Sequence, residues 1–455
     1  MTSNIKSKIT NNQVNHFRKI ATAILAFCML ISLPACKVQQ LSDPSTDFKS
    51  LIQNSQIFSN HFMGFSLFDP ETAKTLYSVN DDKYFIPASN TKLFTFYTCL
   101  NILGDSVPSL QYYTKGDSLF FSGTGDPTFL HPQFNLQPTF SFLKNRHEKL
   151  IYVNNPFPEN AYGPGWSWDD YHYTFSAEKA PFPIYGNYVS FLYKPLQVFP
   201  DIYPSYFNKV SQIHEVKNVQ ERDIQRSFNE NIFSIQIRSE TIGDTIKIPF
   251  KYSTGLLVHL LSDTLKKEVI AVEQKYPFQK KIFYGLATDS LYKEMLWESD
   301  NFIAEQLMLM AAFTLSDTMK VKSTINYALK NLYIDMEDKV VWVDGSGLSR
   351  YNLFTPRSMV YILNKLYQFM PSHRLLSLLP AGGRSGNLKK WYKADEPYVF
   401  AKTGTLSNVH CLSGYVKTKS GKILIFSFMH NNYISTTNSL RYEMEKVLRQ
   451  IHDEL

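Results

Sequence analysis

The sequence predicts an α/β sandwich interrupted once by a large, mostly β insertion. Three observations carry that expectation. The stretch "MGFSLFDPETAKTLYSVN" reads as two strands joined by a turn at Asp69-Pro70-Glu71. The chain closes on strands "HCLSGYVKT" and "KILIFSFMHNN" and a helix, "TTNSLRYEMEKVLRQIHDEL". Between these ends, long helical patterns are scarce from about Gly104 to Lys280 and then return. In order, the first hairpin leads to a helix after Ser89, where Leu93, Phe96, Tyr97, Leu100 and Leu103 recur at helical spacing and are expected to bury one face. Short β-prone runs with turn residues follow, such as "KGDSLFFSGTGDPTF", "HEKLIYVNNPF" and "NIFSIQIRSETIGDTIKIPF". Helices resume with "ATDSLYKEMLWESDNFIAEQLMLMAAF" and "PRSMVYILNKLYQFM".

Composition narrows the classes of protein. A chain of 455 residues can form two or three domains, or one large domain with an insertion. Its 44% hydrophobic and 15% aromatic content excludes a disordered chain. The net charge of +7 falls to +3 without the four basic residues of the N-terminal segment, Lys6, Lys8, Arg18 and Lys19. No basic stripe with interleaved aromatics points to nucleic acid. Pairs such as Lys266-Lys267 and Lys389-Lys390 read as solvated faces.

The run "RKIATAILAFCMLISLPAC" has the basic flank and apolar length of a secretory signal, which gives a signal peptide over 1–35. It ends in Leu33-Pro34-Ala35-Cys36, which resembles the lipobox of bacterial lipoproteins. That resemblance implies acylation of Cys36 and attachment to a membrane through a lipid anchor; the alternative is an ordinary secretory signal. A polar linker is expected over 36–50. Cys99 and Cys411 are too few for a disulfide framework and read as buried, inert thiols, with a single bridge left open. No CxxC, His/Cys cluster or HExxH suggests a metal.

Three motifs carry the chemistry. "PASNTKLF" puts Ser89 three residues before Lys92 at a helix start, where the serine is either a cap or a nucleophile with its base one turn away. The spacing alone does not decide, since an SxxK match is expected about twice in a chain of this length. Lys402-Thr403-Gly404-Thr405 is rarer, with KTG expected only about 0.1 times, and it lies between strand-like runs. Ser299-Asp300-Asn301 lies between two helical patterns. Together, in this order, they are the signature of the penicillin-recognising serine acyltransferases.

The residue types fit that chemistry. A lysine whose pKa is depressed by burial and nearby positive charge can take the serine proton, which makes Lys92 the base for Ser89. Ser299 would pass the proton to the departing amine while Asn301 holds the substrate amide or Lys92 in register. Lys402 offers positive charge to a terminal carboxylate, helped by Thr403 and Thr405, and Gly404 allows close backbone approach. Main-chain N–H groups of Ser89 and Thr405 would form an oxyanion hole.

On these motifs the chain resembles the D-alanyl-D-alanine carboxypeptidases and endopeptidases of the low-molecular-mass class C penicillin-binding proteins. Their long insertion after the SxxK helix is matched by the 210 positions between Ser89 and Ser299. "SGTGDPTF", "GPGWSWDD" and "DGSGLSRYNLFTPRSM" also resemble stretches of that family. The resemblance implies a transpeptidase-like α/β sandwich, an antiparallel sheet flanked by helices, with its first part at 51–103, an inserted module at 104–280 and its second part at 281–455. It implies a periplasmic serine peptidase acting on peptidoglycan stem peptides, with β-lactams as covalent inhibitors and no cofactor. Arg350, with Asp169 or Asp170, is then expected to hold the carboxylate and amine of a diaminopimelate side chain. The rival readings are a β-lactamase-like hydrolase and a non-catalytic cell-wall binding protein.

Overall fold

The structure is a computed structural model that describes residues 44–455 apart from 196, 198, 215–223, 237–242 and 274–279. The expected signal peptide and Cys36 lie outside the described residues. The chain divides into two units, Met1–Asp47 and Phe48–Leu455, and the second holds the active site and the cavity described below.

Helices α1 (Pro44–Gln53) and α2 (Gln56–Ser59) precede the hairpin β1 (Phe62–Asp69) and β2 (Lys74–Val79). The helix α3 (Lys92–Leu103) follows a 3-10 turn at Ala88–Thr91. The insertion then runs through β3 (Ser106–Lys115), β4 (Ser118–Gly123), α4 (Pro138–Lys144), β5 (Lys149–Val153), β6 (Tyr188–Tyr193) and β7 (Asp201–Tyr203). It continues with β8 (Ser211–His214), β9 (Ile224–Arg226), β10 (Phe233–Gln236), β11 (Asp244–Pro249), α5 (Thr254–Leu265), β12 (Val269–Val272) and β13 (Lys281–Ala287). Helices α6 (Thr288–Trp297), α7 (Asn301–Ser316), α8 (Val321–Asn331), α9 (Pro356–Phe369) and α10 (Ser372–Leu378) come next. Strands β14 (Val399–Leu406), β15 (Val409–Lys417) and β16 (Ile423–Asn431) and the helix α11 (Thr437–Glu454) complete the chain.

The main sheet has the order β14-β15-β16-β1-β2, antiparallel throughout. Its two ends of the chain meet because β1 pairs with β16, Phe65 opposite Phe428. Both faces are covered, and the period of two in a strand sorts the side chains. On β15, Val409, Cys411 and Tyr415 enter a core shared with α3, α7 and α9, while Leu412 and Val416 enter the opposite core with α11. In α11 the residues Leu440, Met444, Val447, Leu448 and Ile451 form one apolar stripe. Thr436 caps it by accepting the Ser439 N–H at 3.2 Å.

Two expectations change here. Helix α1 overlaps the predicted linker, because Phe48 and Ile52 lie one turn apart and bury together in the α11-side core. Helix α3 is not buried on one face only: Phe94, Thr95, Thr98 and Cys99 are buried as well, since α6, α7 and α9 all pack on it. Cys99 and Cys411 are both free and buried, and burial pushes the Cys411 thiol up to about 12, which suppresses its thiolate.

The insertion has its own core, from Leu110 to Val269, under a mixed sheet of order β12-β5-β4-β3-β13. Strand β13, which the sequence reading gave to the second part of the sandwich, hydrogen-bonds to β3, so this sheet runs on to Ala287. Gln306 of α7 ties the insertion to the sandwich. Its Nε2 donates to the carbonyls of Gly125 (2.7 Å) and Ala180 (2.8 Å), and its Oε1 accepts the Ala180 N–H (3.1 Å).

Candidate active site

Ser89 sits on a tight turn. Ala88 before it has φ of +46°, a conformation uncommon for a residue with a Cβ, and Gly347 packs against its carbonyl so closely that a Cβ there would fall 1.9 Å from the Ala88 oxygen. This turn leaves Ser89 half-buried and aims Lys92, fully buried, back beneath it. The Lys92 Nζ donates to Ser89 Oγ (2.9 Å), to Asn301 Oδ1 (2.6 Å) and to the Ser346 carbonyl (2.6 Å). Three acceptors account for all three ammonium hydrogens.

Asp300 is the N-cap of α7, its Oδ1 accepting the Ile303 N–H at 2.8 Å. The cap fixes its two neighbours on either side. Ser299 takes a φ of +61°, and Asn301 holds its amide between Lys92 and the Phe175 carbonyl, to which Nδ2 donates at 3.0 Å. Strand β14 closes the site. Lys402, also fully buried, donates to Ser299 Oγ and to the Thr403 carbonyl, both at 2.8 Å. Asn90 Nδ2 donates to the Lys402 carbonyl (2.8 Å) and pins the strand to the serine turn. A Cβ on Gly404 would lie 2.5 Å from the Pro87 oxygen and 2.9 Å from the nitrogens of Ser89 and Asn90, so only glycine lets β14 come this close. Behind it, the Thr405 hydroxyl lies 2.8 Å from His410 Nδ1. Burial, helped by the Arg441 charge, holds that imidazole down to about 3, so it is neutral at physiological pH.

The electrostatics follow from burying two amines together. Burial lowers Lys92 from 10.5 to about 8, while the charges of Asp344, Asp300 and Glu305 oppose the drop. Lys402 also falls well below its ordinary value, through burial first and then the Lys92 charge, with Glu298 opposing. Such a site can take a proton from a hydroxyl at Ser89 and relay one through Ser299. It also favours an incoming anion that restores charge balance beside Lys402.

The "DGSG" stretch contributes in a way its sequence does not announce. Asp344, buried, accepts the N–H groups of Gly347 (2.9 Å) and Ser349 (2.7 Å), the Asn352 amide (2.7 Å) and the Trp166 indole N–H (2.9 Å). Glu305 of α7 accepts the Ser346 N–H at 2.8 Å, and burial and then Asp344 push it up to about 7. These bonds hold the Ser346 carbonyl on Lys92, while the Ser346 hydroxyl turns to the Leu348 N–H. Sequence reasoning passed over Asp344, Glu305, Phe175 and His410; the Asp-Gly-Ser-Gly run was the one available signal.

Arg350 is exposed and donates through Nη2 to the Ser407 carbonyl (3.1 Å), on the turn between β14 and β15. Asp169 is exposed and Asp170 partly buried, on a 3-10 turn at Trp168–His172. The loop before that turn meets the loop carrying Arg350, since Gly165 packs on the Tyr351 ring.

An SxxK turn, a Ser-Asp-Asn cap and a Lys-Thr-Gly strand edge, converging on this α/β scaffold, mark the penicillin-recognising serine peptidases. More narrowly, the chain belongs to the D-Ala-D-Ala carboxypeptidase 3 (S13) family, whose model matches residues 45–452. It is 23% identical over 490 residues to the D-alanyl-D-alanine carboxypeptidase DacB of Haemophilus influenzae, covering 96% of this chain and 98% of that protein. It is 24% identical over 428 residues to the D-alanyl-D-alanine carboxypeptidase of an Actinomadura species, covering 81% of this chain and 78% of that one. The crystal structure of penicillin binding protein 4 (dacB) from Haemophilus influenzae superposes with a TM-score of 0.70 at 20% identity, over 90% of this chain and 99% of the other. That likeness extends to the fold.

Proposed function

We propose that the chain hydrolyses the terminal D-Ala-D-Ala bond of peptidoglycan stem peptides through an acyl-enzyme on Ser89. The observation that carries this reading is the pair of buried amines, Lys92 on Ser89 and Asn301, and Lys402 on Ser299. Neutral Lys92 takes the Ser89 proton as Oγ bonds to the penultimate carbonyl carbon. The oxyanion gathers charge against the N–H groups of Ser89 and Thr405, each worth about 3–4 kcal/mol in comparable sites. The C–N bond then breaks, the Ser299 hydroxyl gives its proton to the leaving nitrogen, and Lys92 resupplies Ser299. Water hydrolyses the ester by the reverse proton route. Lys402 and the hydroxyls of Thr403 and Thr405 receive the terminal carboxylate, whose charge favours protonated Lys402 and so neutral Lys92. A β-lactam presents the same amide and carboxylate and acylates Ser89 without a departing fragment. Digesting defined muropeptides, monomeric and cross-linked, and identifying the products by mass tests the reading: D-alanine release supports it, and intact substrates beside a folded protein defeat it.

Three finer assignments belong here. The sandwich is taken as 51–103 and the segment from 288 to 455, with the insertion, closed by β13, between them, supported by the separate core under the insertion's sheet. Arg350 with Asp169 or Asp170 receives a diaminopimelate side chain, supported by the packing of their two loops at Gly165 and Tyr351. The protein is exported to the periplasm and held by acylated Cys36, supported by the sequence Leu33-Pro34-Ala35-Cys36. No helix among the described residues is long and apolar enough to cross a membrane. Release of Cys36→Ala from the membrane fraction checks the anchor.

A further inference from the structure

Beside the Ser299–Asn301 turn, on the side of the insertion, lies a cavity of about 270 Å³. That is several times the roughly 30 Å³ share of one water molecule, room for a small polar ligand. Ser299, Asp300 and Asn301 line it, with Glu294 and Glu298 from the end of α6 and Lys247 from β11. Neither Glu294 nor Glu298 forms an ion pair with a cation among the described residues, nor does Lys247, whose Nζ stands 5.0 Å from the centroid of the Tyr188 ring. Two further side chains that line the cavity are largely buried and carry a polar atom with no protein partner among the described residues. Tyr188, 7% exposed, has a hydroxyl without a hydrogen-bond partner among the described residues. His131, 2% exposed, accepts the Gln133 N–H at Nδ1 (3.3 Å) and leaves Nε2 without a partner among them. A hydroxyl and an imidazole nitrogen on the cavity wall can each hydrogen-bond a polar ligand there.

The chemistry of the leaving group matches these walls. In terminal cleavage the released fragment is D-alanine. In cleavage of a cross-link it is the end of a diaminodicarboxylic acid. Either way a new amine stands beside a carboxylate, and Ser299, which hands the nitrogen its proton in the reaction proposed above, also borders the cavity. We propose that, once the C–N bond has broken, the released amino-acid head leaves Lys402 and moves into this cavity, its ammonium among Glu294, Glu298 and Asp300 and its carboxylate passing to Lys247. The inference rests on the peptidase reading and adds a subsite to it. The Tyr188 hydroxyl and His131 Nε2 supply further hydrogen bonds. Burial, then the charges of Asp300 and Glu298, push Glu294 up to about 7 against the pull of Lys247. An arriving ammonium favours ionised Glu294, so binding strengthens as the pH rises through 7.

Titration calorimetry on the whole protein at pH 6 and pH 8, with D-alanine and with meso-diaminopimelate, tests this. Saturable binding of D-alanine reads the cavity as the exit site of the terminal cleavage; binding confined to meso-diaminopimelate reads it as the seat of a strand released from a cross-link. In either arm, Glu294→Gln and Lys247→Ala should each weaken binding about tenfold or more, the loss of one charged contact. The N-acetyl and amide derivatives should bind correspondingly worse, and the wild type should bind more tightly at pH 8. The absence of saturable binding by either compound, or binding that both variants leave unchanged, overturns the inference. Penicillin acylation of the same samples keeps the two readings apart. A wild type that is acylated but binds neither compound defeats the subsite alone, whereas one that is folded and never acylated defeats the peptidase reading.

Discussion

Raising the pH from 6 to 8 should accelerate acylation by a penicillin about fifty-fold, because the neutral fraction of Lys92 rises from about 1% to about 50% over that interval. The prediction follows from the buried position of the amine, which brings it from 10.5 to about 8. That drop corresponds to about 3 kcal/mol. It is a balance: burial removes hydration from the ammonium, and Asp344, Asp300 and Glu305 return part of the loss. A stopped-flow measurement with a fluorescent penicillin at fixed ionic strength isolates the step, since the antibiotic's carboxylate stays ionised throughout. Lys92→Arg retains charge and cannot serve as the base, so its acylation should fall by about 10²–10⁴-fold. A wild-type rate that is flat between pH 6 and pH 8, or an arginine variant that follows the wild-type profile, would refute the assignment of Lys92 as the base.

The same amine leaves a mark on stability. Between pH 8 and 10.5 the unfolded chain binds more protons at Lys92 than the folded one, so the folded state gains as the pH rises through that window. Denaturant melts should show the wild type gaining up to about 3 kcal/mol relative to Lys92→Met between those limits, and parallel curves would contradict the perturbed amine. Gly404→Ala forces β14 away from contacts at 2.5 and 2.9 Å, and should cost about 1–3 kcal/mol in a thermal melt and about a hundredfold in acylation rate; unchanged acylation would remove the close-approach argument. Arg350→Ala should cost about 1.5–3 kcal/mol of transition-state stabilisation on diaminopimelate peptides and spare a simple acyl-D-Ala-D-Ala mimic. Equal losses on both would instead assign Arg350 to bracing the turn at Ser407.

What was legible in the sequence was what lies close along the chain. Ser89 and Lys92 share one helical turn, Ser299 and Asn301 flank a cap, and Lys402 to Thr405 are consecutive on one strand, so each motif carries its own geometry. The residues that sequence reasoning passed over act through backbone atoms or burial across long separations. Ser346 gives Lys92 a carbonyl oxygen, which any residue type possesses, from 254 positions away. Phe175 likewise serves Asn301 through its carbonyl, 126 positions distant. Glu305 lies in the apolar run of α7, where one acidic residue has no periodic signature. The all-round burial of α3 was hidden for a related reason: its polar Thr95 and Thr98 look solvent-facing until the carbonyl of Gly345 and the hydroxyl of Tyr333 arrive as partners. Strand β13 was misplaced because pairing with β3 joins segments separated by most of the insertion.

The most direct test of the account is the site of covalent attachment. The intact protein is trapped with a penicillin and digested, and the fragment carrying the added mass is sequenced by mass spectrometry beside Ser89→Ala. The account predicts one penicillin per chain, attached to Ser89, and no adduct on the folded variant. An adduct on Ser299, Ser346 or any other residue, or one that persists when Ser89 is alanine, would contradict it.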